Sequence, residues 1–141
     1  IYTPGEEVCT GFGIVFRGQL PIAEHWGAVM SLRTSSAPVK NEGMMAEPFN
    51  TYGATAGVMG HFVLPVDCLA LEPSAQFGAV RLQRTPGYCA GRYAFEVDCD
   101  IALNWRLTGR FAVRGCIGYR FLTQPRSVSA FTAGLGSVAY F

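Results

Sequence analysis

The chain has 141 residues, a net charge of +1, 50% hydrophobic and 15% charged residues, and a mean hydropathy of +0.23. That length suits one domain, 1–141, with a real core; the charge leaves no footprint for nucleic acid. No apolar run approaches the ~18 to 20 residues that a membrane helix needs, and apolarity spread as alternation rather than as blocks is how a membrane β-barrel reads.

Taken in order, Ile1-Tyr2-Thr3 reads as the tail of a strand, and Pro4-Gly5 as a turn. From Val8 to Leu20, the residues Val8, Phe12, Ile14 and Phe16 fall on one parity, and Cys9, Gly11, Gly13, Arg17 and Gln19 on the other. Side chains alternate across a strand with period 2, so this is a strand with two different faces. A short turn at 21–24 leads to a second strand, with Trp26, Ala28, Met30 and Leu32 opposed to Gly27, Val29, Ser31 and Arg33. Residues 34–50 hold two prolines, the only lysine (Lys40) and no period, and read as the longest irregular segment, with Met44-Met45 packed within it.

A third strand follows from Tyr52 to Leu64, with a short turn at Pro65–Cys68. In the fourth, Leu69, Leu71, Ala75, Phe77 and Ala79 oppose Ala70, Glu72, Ser74, Gln76 and Gly78. Pro73 lacks a ladder donor, which predicts a bulge in this strand. After a loop at 84–92 comes the clearest stretch, Tyr93–Phe121. Tyr93, Phe95, Val97, Cys99, Ile101, Leu103 and Trp105 line one face; Glu96, Asp98, Asp100, Asn104 and Arg106 line the other. The alternation resumes through Phe111, Val113, Ile117, Tyr119 and Phe121 against Ala112, Arg114, Cys116 and Arg120. A three-residue hairpin loop at 107–109, with Gly109 at a positive φ, keeps the faces in phase. It sets Glu96 opposite Arg120, with Asp98 and Asp100 diagonal to Arg114 and Arg120. A last strand runs from about Val128 to Phe141.

The seven strands have connections that alternate in length: short near 21–24, 65–68 and 107–109, longer near 34–50, 84–92 and 122–127. An up-and-down barrel places the two kinds at opposite rims, with Phe141 at the short-turn rim. On the strength of Tyr93–Leu107, of Arg106–Phe111 leading into Gly118–Phe121, and of the closing segment Gly134–Phe141, the chain resembles the small eight-stranded outer-membrane barrels of Gram-negative bacteria, the OmpA/OmpX-like kind. The likeness is architectural and covers nearly the whole chain. It implies an outer-membrane location, a lipid surround, and an assembly machinery that reads the terminal aromatic, Phe141. The family's usual tyrosine two places before that phenylalanine is Ala139 here, with Tyr140 displaced by one.

The competing fold is a soluble lipocalin- or streptavidin-like barrel, whose apolar parity would line a cavity for a small apolar ligand. Against it stands the second face, where repeated glycine mixes with isolated Arg17, Arg33, Glu72, Arg114 and Arg120. Narrow interiors need small residues beside a few long, paired charges. The expected interior network comprises Arg17, Glu72, Glu96, Asp98, Asp100, Arg106, Arg114 and Arg120. At ~3.3 Å per residue and ~45° tilt, Tyr93–Leu107 spans roughly 35 Å, enough to cross a bilayer. Tyr52, Tyr93, Trp26, Trp105, Tyr119 and Tyr140 include candidates for interfacial aromatic girdles.

A lipid-modifying enzyme is a further alternative, with His25 and His61 beside Ser31, Ser74 and Glu72. No nucleophile signature accompanies them, so His25 is expected at a rim and His61 as an interior hydrogen-bonding group, with no enzymatic activity, cofactor or metal. Five cysteines, Cys9, Cys68, Cys89, Cys99 and Cys116, lack metal-ligand spacing and read chiefly as single apolar fillers, a disulfide among them being the alternative. The chain opens at Ile1 without a signal segment, as a mature product or a fragment does. Ile1–Thr3 is far too short for an eighth crossing, so the first and last long strands are expected to flank an additional strand, upstream in sequence or from a partner chain, or to stand as two edges. The expected function is structural, adhesive or partner-binding, through the long loops.

Overall fold

The computed structural model describes residues 7–8, 11–40, 47–66, 68–84, 92–123 and 128–141. The expected Ile1–Thr3 strand remnant and the Met44-Met45 pair lie outside these residues. The chain is all β and antiparallel, running up and down in a curled half-barrel of about eight strands. In chain order the strands are β1 (Glu7–Val8), β2 (Phe12–Pro21), β3 (Trp26–Lys40), β4 (Glu47–Gly60), β5 (Phe62–Val63), β6 (Leu69–Arg84), β7 (Arg92–Arg106), β8 (Phe111–Thr123) and β9 (Val128–Ala139). β5 continues β4 along β6 in the same register, as Met59↔Ser74 and Phe62↔Leu71 show. Each long strand pairs with the next, from β2 through β9. Among the described residues β2 and β9 do not pair with each other, so the sheet has two edges.

The period-2 alternation holds along each long strand, and its sense is inverted relative to a water-soluble domain. The concave face buries Ser31, Arg33, Glu72, Gln76, Glu96, Asp98 and Asn104, while the convex face exposes Phe12, Phe16, Met30, Phe77, Phe95, Ile101 and Ile117. A small apolar cluster of Val80, Ala94 and Leu122, with Leu82 against it, closes the end of the bore toward the longer connections.

Four local expectations are corrected. Residues 34–40 and 47–50 are strand, not loop, because Ser, Thr and Asn continue the β3–β4 ladder and Pro38 stands opposite Pro48, so that two missing donors fall on one rung. β6 passes through Pro73 without a bulge, pairing Pro73↔Ile101 with β7. The break falls instead on the neighbouring strand, between β4 and β5, and the His61 N–H turns away to donate to the His25 carbonyl at 2.9 Å. A proline without a donor is accommodated where its partner strand also stops. The β7–β8 register is two residues away from the expected one: Asp98, not Glu96, stands opposite Arg120. The loop is correspondingly longer, spanning 107–110, and the Thr108 hydroxyl accepts from the N–H groups of Arg110 (3.3 Å) and Phe111 (3.2 Å). That side-chain cap replaces the role expected of a positive-φ Gly109; the positive φ belongs to Cys68, at 71° in the turn before β6.

Close backbone approach accounts for two glycines. A Cβ on Gly57 would run into the Ala75 carbonyl, and one on Gly78 into the Ala54 carbonyl, both backbone atoms of the adjoining strand. Replacing Gly78 by Ala is expected to cost on the order of 1–3 kcal/mol or more. Gly136→Ala, in open space, is expected to be neutral. Urea unfolding of the two variants, followed by circular dichroism, checks the contrast.

Candidate functional site

The concave face is the place where this sequence concentrates chemistry. Alternation places Arg17 and Gln19 of β2, Arg33 of β3, Glu72 and Gln76 of β6, Glu96, Asp98, Asp100 and Asn104 of β7, and Arg114 and Arg120 of β8 on one side of the sheet. Curling then brings distant strands together. Arg17 grips Asp100 with both terminal nitrogens, one of them at 3.2 Å. Arg33 pairs with Asp98 and with Glu96, the latter at 3.0 Å. Arg120 reaches the same Glu96 oxygen at 3.0 Å, and Arg114 pairs with Glu72 and, at 3.7 Å, with Asp100.

Four guanidiniums, Arg17, Arg33, Arg114 and Arg120, therefore face four carboxylates, Glu72, Glu96, Asp98 and Asp100. The set sums to zero. Glu96 is fully buried between Arg33 and Arg120 without hydrogen-bond geometry to either, so coulombic attraction holds it. A Cβ on Gly53 would stand 3.1 Å from a Glu96 carboxylate oxygen, so this glycine makes the room that the buried side chain uses.

Neutral polar groups fill the space between. The Gln76 carbonyl oxygen accepts from Ser31 Oγ (2.7 Å) and Thr55 Oγ1 (3.1 Å), and its amide donates to Ser74 Oγ at 3.4 Å. Glu72 also accepts from Gln19 Nε2 at 3.2 Å and from His61 Nδ1 at 2.9 Å, which makes Nδ1 the protonated nitrogen of that ring. Arg114 donates to Asn104 Oδ1 at 3.3 Å.

Of the residues expected in the network, all but one meet there. Arg106, at the last position of β7, is exposed instead, with its guanidinium 5.0 Å over the Tyr140 ring. At the strand end there is no facing strand to enclose it, and a cation over an aromatic face is the partner in reach. Arg33 takes the place expected of Arg106. Its parity already set it on the polar face, but nothing local relates β3 to β7, four elements later in the chain.

The groups weighed for catalysis do not converge. Ser31 and Ser74 are bound to Gln76, His61 to Glu72, and the His25 ring stacks on Phe62 at 5.9 Å. Cys68, Cys99 and Cys116 are free thiols, and Cys9 and Cys89 lie outside the described residues. Among the candidate girdle aromatics, Tyr52 and Tyr93 stand toward the longer connections and Trp26 and Trp105 toward the short turns, all exposed. Tyr119 lies well inside β8, edge-on to Phe131 at 5.2 Å, so it belongs to the middle of the convex face. Tyr140 N–H donates to the Arg110 carbonyl at 2.9 Å, which sets exposed Phe141 beside the short 107–110 turn.

The class this defines is a barrel-type antiparallel sheet with buried charge pairs inside and an apolar outside. No family model, curated protein or solved structure matches the chain, so the likeness to OmpA/OmpX-type barrels rests on architecture alone. Breaking a buried pair by removing one partner typically costs about 3–5 kcal/mol. Arg33→Met, which strands Asp98, is expected to fall in that range, and Arg33→Met combined with Asp98→Leu to regain part of it. Arg106→Met is expected to leave the unfolding midpoint unchanged. Urea titrations of the three variants check this.

Proposed function

We propose that the chain is an integral β-barrel of a Gram-negative outer membrane, with a filled, charge-neutral bore, acting structurally or by adhesion and partner binding through the connections at its long-loop rim. The observation that carries this reading is the inverted polarity. Along β6 the convex residues Leu69, Leu71, Pro73, Ala75, Phe77 and Ala79 are apolar, followed by Arg81 and Gln83. About eleven residues at ~3.3 Å per residue, tilted ~45°, make a band of roughly 25 Å, the height of the apolar belt on membrane barrels. On β7 the matching run from Phe95 is bracketed by Tyr93 and Trp105, where interfacial aromatics belong.

A soluble ligand-binding barrel fits less well. It needs an empty apolar interior and a wettable outside, whereas this bore holds ion pairs and this outside holds Phe12, Phe16, Phe131 and Leu135. The fixed hydrogen bonds of Ser31, Ser74 and His61 favour a non-enzymatic role.

The two edges suggest where a partner acts. β2 and β9 are the first and seventh strands of an antiparallel series, so they run in the same direction, and antiparallel closure takes an odd number of added strands. Arg17 of β2 reaches Asp100 of β7, four places along the sheet. That is the half-turn separation of an eight-stranded ring, so one strand fills the seam. Unpaired backbone in hydrocarbon costs several kcal/mol per group, which favours a strand in that seam, from sequence upstream of Ile1 or from a partner chain.

Two measurements test the reading. The full chain is expected to be insoluble without detergent and to fold into β-structure in micelles or liposomes; a monodisperse, folded chain in plain buffer would favour the soluble barrel. In planar bilayers it is expected to show no stable large conductance, because side chains fill the bore. Steady, large openings would make it a porin.

A further inference from the structure

Among strand residues 12–36, 50–83, 93–106, 111–123 and 129–139, Arg81 is the single charged residue on the convex face. Its counterparts on that face are apolar, small or neutral polar, and no carboxylate pairs with it among the described residues. Its two cross-strand neighbours are both tyrosines, Tyr52 on β4 and Tyr93 on β7. Directly opposed side chains have Cβ atoms about 4.5–5.5 Å apart, so one guanidinium and two phenol hydroxyls are presented together. All three side chains are exposed.

Two residues nearer the short turns, the same strands carry Ala54 and Ala79, paired with each other. Leu32 and Phe16 continue that rung on one side and Phe95 on the other. Two methyl groups between bulky neighbours make a trough, and the groove there is lined by Ile14, Phe16, Leu32, Ala54 and Ala79 with Tyr52, Arg81 and Tyr93 at its polar end. The molecule that matches this surface has an anionic head of several acceptor oxygens and an apolar tail leaving it on one side.

We propose that Arg81, Tyr52 and Tyr93 form a binding site for the phosphate headgroup of a membrane lipid, with an acyl chain lying in the Ala54–Ala79 trough. The proposal rests on the membrane reading above. The planar guanidinium offers a phosphate two parallel N–H donors, and the tyrosines add one O–H each. The apolar trough selects an anchored phosphate over a free one. An arginine that merely anchored the barrel at the interface would need neither the flanking pair of hydroxyls nor the gap in the apolar wall below it.

The test uses the full chain folded in dodecyl maltoside micelles and titrated with dioleoylphosphatidic acid or with dioleoylglycerol, which has the same tails without the phosphate. Bound lipid is counted by native mass spectrometry. The wild-type chain is expected to retain the phosphatidic acid at least tenfold more tightly than the diacylglycerol. Arg81→Gln should remove that preference, Tyr52→Phe with Tyr93→Phe should reduce it, and Ala79→Phe, which fills the trough, should weaken retention of the phosphatidic acid. Arg110→Gln, at the short-turn rim, should behave as wild type. Equal retention of the two lipids, a preference that survives in Arg81→Gln, or displacement of the phosphatidic acid by an equal concentration of inorganic phosphate would overturn the site. Circular dichroism taken before any lipid is added separates the two layers of inference. A chain that forms no β-structure in micelles removes the membrane reading and the site with it; a folded chain without the preference removes the site alone.

Discussion

The rest of the structure depends on the neutrality of its interior. Four arginines and four carboxylates share the bore. In surroundings of low dielectric an uncompensated charge would be very costly, while opposed charges attract far more strongly than in water. Arg17 and Arg33 find their carboxylates across the bore, which ties β2 and β3 to β7, while Arg114 reaches Glu72 two strands away on β6 and Arg120 meets Glu96 on the adjoining β7. The curl of the sheet follows from these reaches. So does the distribution of small residues: Gly53 leaves room for Glu96, and Gly57 and Gly78 let β4 and β6 lie close.

With most charge and hydrogen bonding directed inward, the convex face is left mainly apolar, with Arg81 and its two tyrosine neighbours toward the longer connections. In a soluble domain the same alternation would hide the phenylalanines and expose the arginines. Here a bore one barrel wide is too narrow for the aromatics but fits a layer of paired long polar side chains among glycines and serines. The apolar cluster of Val80, Ala94 and Leu122 sits at one end of that bore and the Glu72–Arg114–His61 group toward the other. The filling is therefore layered along the axis, and the four arginines and four carboxylates among the described residues balance within it.

Much of this architecture was legible in the chain itself. Tyr93–Trp105 announces a two-faced strand because period 2 is a local property of the backbone, and Gln19, Arg33 and His61 carry their face assignment for the same reason. The misreadings have local causes as well. The 34–50 stretch lacks apolar alternation, yet Ser35 and Thr51 hydrogen-bond across β3 and β4 at 2.5 Å, and a ladder of backbone bonds does not require apolar side chains. The hairpin at 107–110 was read from its glycine, whereas Thr108 supplies the cap, and pairing Arg106 with Ala112 rather than with Arg110 moves the register by two without changing faces.

Face and the up-and-down order of the long strands are thus set by the sequence alone, since each depends on residues within a few positions of one another. Which charge meets which was decided only by the tertiary structure. Arg33 and Asp98 are separated by 65 positions and Arg17 and Asp100 by 83, and their pairing depends on the curl and on every intervening register. A two-residue slip in one hairpin exchanges Glu96 for Asp98 opposite Arg120 while leaving every hydrophobic residue on the same side. Alternation is blind to that slip, because shifts by two preserve parity; only the distances across the bore distinguish them.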